Sequence, residues 1–85
     1  MLGLAYNSLR KKVAEALLKL KAKYAPRQEG EFKIDISREN LATIAGTATE
    51  SLIRTLGDFR AEKLIDIKDG EITLLNDKKL KKMAN

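Results

Sequence analysis

Residues 37–63 read SRENLATIAGTATESLIRTLGDFRAEK, and this stretch decides the fold. It divides into two amphipathic helices around a glycine. Ser37 is a favoured N-cap for the first, because its hydroxyl accepts from a backbone N–H of the opening turn that has no partner inside the helix. Leu41, Ile44 and Ala45 recur at helical spacing and supply its apolar face. Gly46 stands where the chain leaves that helix, a place that favours a residue at ease with positive φ. Thr47 and Glu50 make a T-x-x-E capping box for the second helix, and Ala48, Leu52, Leu56 and Phe59 give it a core stripe. Two short helices joined by such a turn form a helix-turn-helix unit, whose second helix can enter the DNA major groove.

The residues off the stripe bear on whether DNA is the partner. At about 100° per residue, Thr49, Glu50, Ile53, Arg54 and Gly57 fall on the side away from Leu52, Leu56 and Phe59. An arginine there can donate to guanine O6 and N7 together, and a glutamate can accept from cytosine N4. Ile53 has one obvious partner in a major groove, the C5-methyl of thymine. Its competing reading is that it wraps onto the edge of the core. Glu50 and Arg54 stand at i and i+4, so they can also brace one another as a plain solvated ion pair. The glycine turn, the capping box and the basic chain shift the balance towards DNA.

The pattern Ser-Arg-x-x-Leu-Ala-x-Ile-x-Gly-x-x-x-Glu-Ser-x-x-Arg, followed by a short hairpin, resembles the winged helix-turn-helix of the Crp–Fnr transcription regulators. The resemblance covers roughly Asn7 to Leu75. It implies an α+β fold, a three-helix core with a small antiparallel β-hairpin wing. It also implies roles for particular residues. Glu50 and Arg54 match the two base-reading positions, and Ser37 and Arg38 match positions that contact phosphate ahead of the first helix. Thr49 stands where some members carry a base-contacting arginine. Ala48, at a phosphate position, replaces the usual small hydroxyl residue. Lys68 at the wing tip is expected near the adjacent backbone. Implied partners are double-stranded DNA carrying an inverted repeat, a second copy in the full-length regulator, and RNA polymerase. The family habit is a sensor domain and a long dimerisation helix ahead of this module.

Composition fits one small domain. At 85 residues the chain can bury only about 60% of its unfolded surface, enough for a modest core. The aromatics are Tyr6, Tyr24, Phe32 and Phe59, so Leu, Ile and Ala must carry the packing. Without cysteine there is no disulfide framework and no thiolate metal site. Without histidine the commonest general base and metal ligand are missing, along with any Ser–His or Cys–His nucleophile pair. Asp35, Glu39 and Glu50 are carboxylates with no base or nucleophile around them, so the reading is not an enzyme, and no cofactor is expected. No stretch approaches the roughly 20 apolar residues of a membrane span, and Met1–Tyr6 is no signal peptide, so a cytoplasmic place is the default. The formal charge is +5 and the pI about 9.6, which favours polyanions without choosing among them. Most of the lysines and arginines on the first helix (Arg10, Lys11, Lys12, Lys19, Lys21, Lys23) and tail (Lys78, Lys79, Lys81, Lys82) read as solvated faces.

Outward from the central stretch, Asn7 to Tyr24 forms an amphipathic helix with Leu9, Val13, Leu17, Leu20 and Tyr24 on its buried stripe. Residues 1–6 read as the remnant of a connection to an upstream domain or as a disordered start. Pro26 to Gly30 is a polar break. Phe32, Ile34 and Ile36 alternate with Lys33 and Asp35, a short strand leading into Ser37. After Lys63, two apolar runs flank Asp69-Gly70, a strong hairpin signal because both central residues of a type I′ turn need positive φ. Residues 7–75 therefore make the DNA-binding domain. Residues 76–85 make a tail in which Asn76 or Asp77 caps a last helix through Met83. The alternative function is a winged-helix module that contacts protein instead of DNA, marked by an apolar patch around Ile53.

Overall fold

The computed structural model describes residues 2–24 and 32–84, with side chains from residue 8 onward. The polar break at Pro26 to Gly30 lies outside the described residues. Seven elements follow one another: α1 (Leu2–Tyr24), β1 (Phe32–Asp35), α2 (Arg38–Ala45), α3 (Thr49–Ala61), β2 (Ile65–Lys68), β3 (Glu71–Leu74) and α4 (Asp77–Ala84). Helices α1, α2 and α3 pack on one another, and the hairpin after α3 makes the wing. This is a winged helix-turn-helix, as the sequence reading expects.

Helix α1 starts at Leu2 rather than Asn7. Nothing between the two breaks a helix: Gly3 costs only about 1 kcal/mol and the chain's single proline is Pro26. Val13, Ala14, Ala16, Leu17 and Leu20 are buried along it. Tyr24, expected on that stripe, is instead 67% exposed, its ring beside the Lys23 ammonium. The inward place in this last turn goes to Lys21, whose Nζ donates to Asp77 Oδ2 at 2.8 Å.

Ser37 caps α2 as expected, its Oγ accepting from the Asn40 N–H at 3.1 Å. Leu41, Ala42 and Ala45 are buried, whereas Ile44 is 43% exposed. With Leu41 and Ala45 nearly aligned at i and i+4, Ala42 completes the inward arc and Ile44 falls roughly 100° off its centre. Gly46 ends the helix at φ 73°, ψ 38°. Its N–H donates to Thr43 O and the Thr47 N–H to Ala42 O, the paired bonds of a Schellman closure.

That closure overturns the capping box. The Thr47 N–H is committed to the end of α2, so α3 begins one residue later, with Ala48 as N-cap and no side-chain cap hydrogen bond. Glu50 then sits out of register with the box. Ala48 is exposed rather than part of the core stripe. Leu52, Thr55, Leu56 and Phe59 are buried. Thr55 is tolerated there because its hydroxyl donates back to Ser51 O at 3.0 Å. The helix stops at Ala61, short of Lys63. Lys63 itself adopts φ 62° and repeats the Schellman pattern, with its N–H on Arg60 O and the Leu64 N–H on Phe59 O.

The sheet order is β1-β3-β2, antiparallel throughout. Its register sets out four rows: Phe32–Leu74–Ile65, Lys33–Thr73–Asp66, Ile34–Ile72–Ile67 and Asp35–Glu71–Lys68. The first and third rows face the core, and the other two lie on the outer face. Asp69 (φ 52°) and Gly70 (φ 80°) make the turn, both left-handed as a type I′ hairpin requires. Asn76 caps α4 through its Oδ1 to the Lys79 N–H, and Leu80 buries that helix against the body. Arg10 closes the same side. Its guanidinium bonds Glu62 at 2.7 Å and stacks 5.2 Å from the Phe59 ring centroid. Arg10 and Lys21 are therefore structural cations, not part of a solvated basic face.

Candidate nucleic-acid interface

Helix α3 carries four of the candidate residues, Thr49, Glu50, Ile53 and Arg54. Its inner side is fixed by Leu52, Leu56 and Phe59, each at most 1% exposed, so rotation of the helix about its axis is set by the core. The outer side consequently presents Glu50, Ile53 and Arg54 to solvent, with Thr49 half-buried beside them. Ile53 is 51% exposed and stands outside the core cluster, which removes the core-edge reading of this residue. Among the described residues no ion pair or hydrogen bond joins Glu50 to Arg54. The pair that the spacing permits is not made, and each keeps its hydrogen-bonding capacity for another partner.

The opening turn of α3 adds polarity of the right sign. An N-cap of alanine leaves the first backbone N–H groups without a side-chain acceptor, and the helix dipole makes that end electropositive. Ala48 thus marks an end open to an external anion, where a hydroxyl residue would have capped the helix from within. Leu52 N–H to Ala48 O, at 3.0 Å, is the bond that starts the helical ladder.

Ser37 is exposed at the start of α2, its hydroxyl oxygen occupied by the Asn40 N–H and its own proton still available. Arg38 is half-buried, not a free surface arginine. Its Nη1 donates to Gly70 O at 3.3 Å and, at the long limit of 3.5 Å, to Ile36 O. Lys68 is exposed at the end of β2, in the row Asp35–Glu71–Lys68. The structure therefore groups the candidate residues in two sets. Thr49, Glu50, Ile53 and Arg54 share one face of α3 behind Ala48, and Arg38 joins the wing turn, where Lys68 lies. Sequence reasoning missed the Arg38–Gly70 contact and the like-charged neighbours Asp35 and Glu71. No local pattern carries either, because both depend on which strand pairs with which.

Among the described residues two carboxyls have displaced titration, Glu62 directly after α3 and Asp77 at the start of α4. The Arg10 hydrogen bond holds Glu62 below the ordinary carboxylate range, and the Lys21 hydrogen bond does the same for Asp77. Among the described residues no group of three or more Asp or Glu is placed to hold a metal ion, and no helix is long and apolar enough to cross a membrane.

Comparison with known proteins agrees with this geometry. Residues 11–83 match the Crp-like helix-turn-helix domain. The catabolite activator protein of Thermus thermophilus superposes with a TM-score of 0.80 at 28% identity, over 95% of this chain and 36% of that one. A transcriptional regulator of the CRP/FNR family, also from Thermus thermophilus, superposes at 0.75 with 29% identity, over 88% of this chain and 39% of that one. The chain thus spans little more than a third of the length of these regulators. No curated protein matches it. With the match running through α2, α3 and the wing, the chain belongs to the Crp-like helix-turn-helix domain family.

Proposed function

We propose that this domain binds double-stranded DNA sequence-specifically, as the output module of a Crp–Fnr-type transcription regulator, by direct readout from α3. The observation that carries the reading is the outer face of α3. There, Glu50, Ile53 and Arg54 are solvent-exposed and not engaged with one another, behind a helix start that lacks a side-chain cap. Arg54 reads a guanine, Glu50 a neighbouring cytosine, Ile53 a thymine methyl, and Thr49 an edge at the end of the site. Ser37, Arg38, the backbone N–H groups after Ala48, and Lys68 at the wing fix the register on phosphates. The formal charge of +5 favours the approach of such a polyanion.

One module of this size buries roughly 600–1,000 Å² on DNA, so useful affinity calls for two copies on a two-fold site. Half-sites then lie about 34 Å apart, one helical turn. In the full-length regulator this means a homodimer on an inverted repeat, with RNA polymerase as the onward partner. A salt titration tests the reading. Binding to duplex DNA is expected to weaken linearly in log–log form as salt rises, with a slope that counts phosphates neutralised. A folded domain that binds no duplex at low salt would instead favour the protein-contact reading, in which Ile53 docks on a partner.

A further inference from the structure

We infer that Arg38 is a positioning residue, a clamp that fixes the wing relative to the helix-turn-helix; the inference adds to the DNA-binding reading a way in which the two contact elements are held in one geometry. A type I′ turn leaves the carbonyls of its two central residues outside the hairpin ladder. Gly70 O is one of these, and Arg38 Nη1 donates to it at 3.3 Å. Arg38 is also the first residue of α2, directly after the Ser37 cap. One side chain thus spans from the start of the helix-turn-helix to the tip of the wing, 32 positions on in sequence.

The sheet itself gives the wing a reason to need such a clamp. Its outermost row places Asp35 of β1 directly opposite Glu71 of β3, a like-charged cross-strand pair that disfavours pairing there. Lys68 on the far side of Glu71 offsets only part of that charge. A guanidinium bonded to Gly70, the residue before Glu71, brings a second cation to this end of the sheet. Arg38 is half-buried with Nη1 on the wing turn, which fixes one edge of the guanidinium and leaves its other donors for the phosphate proposed above.

The test is made in two states, so that the clamp and the DNA reading fail separately. In the free domain, Arg38→Lys keeps the charge but shortens the side chain and removes the Nη1 that donates to both carbonyls. Amide hydrogen exchange at Lys68 and Glu71, which pair across the turn, is expected to quicken by about 2- to 10-fold, the loss of one hydrogen bond, with α3 amides unchanged. With duplex DNA, Lys68→Ala is expected to weaken binding in the parent and to cost clearly less in the Arg38→Lys background, because a released wing no longer presents Lys68. Unchanged exchange at the wing in both Arg38→Lys and Arg38→Ala overturns the clamp, as does strict additivity with Lys68→Ala on DNA. A parent domain that ignores DNA while its Arg38 variants still loosen the wing contradicts the DNA reading alone.

Discussion

Replacing Ile53 with serine separates a base contact from a packing contact. The side chain is 51% exposed, so about half of the 1.5–3 kcal/mol for burying an isoleucine is at stake, near 1 kcal/mol. Unfolded-chain compactness reduces that further, and serine and isoleucine differ little in helix propensity. A melting-temperature drop of no more than roughly 4–8 °C is therefore expected for a domain of this size. The functional effect is read on the DNA. One methyl group removed from an apolar contact is worth about 0.8 kcal/mol, close to fourfold in affinity. The parent is accordingly expected to prefer thymine over uracil by about fourfold at one position of each half-site, and Ile53→Ser to erase that preference. Binding measured on matched thymine and uracil duplexes, with melting curves alongside, decides it. A parent with no such position, or a preference that survives in Ile53→Ser, refutes the base contact. A melting loss of about 3 kcal/mol, the value for a fully buried side chain, would refute the exposed placement.

The other predictions address the arginine proposed to read a base, a strained helix end and the scaffold. Arg54→Ala is expected to cost about 1–3 kcal/mol on the preferred site and to relax selectivity at one guanine, with non-specific binding nearly intact. Equal loss on both would reassign Arg54 to the phosphates. Lys63→Gly relieves a left-handed residue at φ 62° and is expected to stabilise the fold by up to about 1 kcal/mol in thermal melts; a lower melting temperature contradicts the Schellman reading. Asp77 is held below its usual range mainly by the Lys21 hydrogen bond, so its stabilising effect is full above the unfolded carboxylate pKa and is lost as pH falls through the lowered folded value. Asp77→Asn is expected to remove about 1–3 kcal/mol at neutral pH and to flatten the acid limb of the stability curve.

Features set by neighbours in sequence are legible in advance. The Ser37 cap, the left-handed Gly46, the Asp69-Gly70 turn and the Asn76 cap each depend on a few adjacent residues, and all are present. The alternation of Phe32, Ile34 and Ile36 likewise places β1 with its apolar side inward. The capping box fails for a competitive reason. Thr47 and Glu50 have the right spacing, but the Thr47 N–H is already claimed by Ala42 O in closing α2. Tyr24 and Ile44 differ from expectation because periodicity shows that a face is apolar without showing how far the opposing layer extends. Lys21 reads as solvated in the sequence, since nothing local shows that Asp77 will meet it from another helix. At the interface, the outer face of α3 follows from its stripe. The engagement of Arg38 by Gly70 does not, because it requires the sheet register and the path of the wing. The family resemblance supplies the proposed roles of Glu50 and Arg54, and the geometry supplies their exposure and the absence of a bond between them.

Selection of bound duplexes from a random pool tests the central claim most directly. Expected is enrichment of an inverted repeat, its half-sites about one helical turn apart, each with a guanine whose selection disappears in Arg54→Ala. A folded domain that enriches no sequence, or enriches one that Arg54→Ala leaves unchanged, would contradict sequence reading by α3.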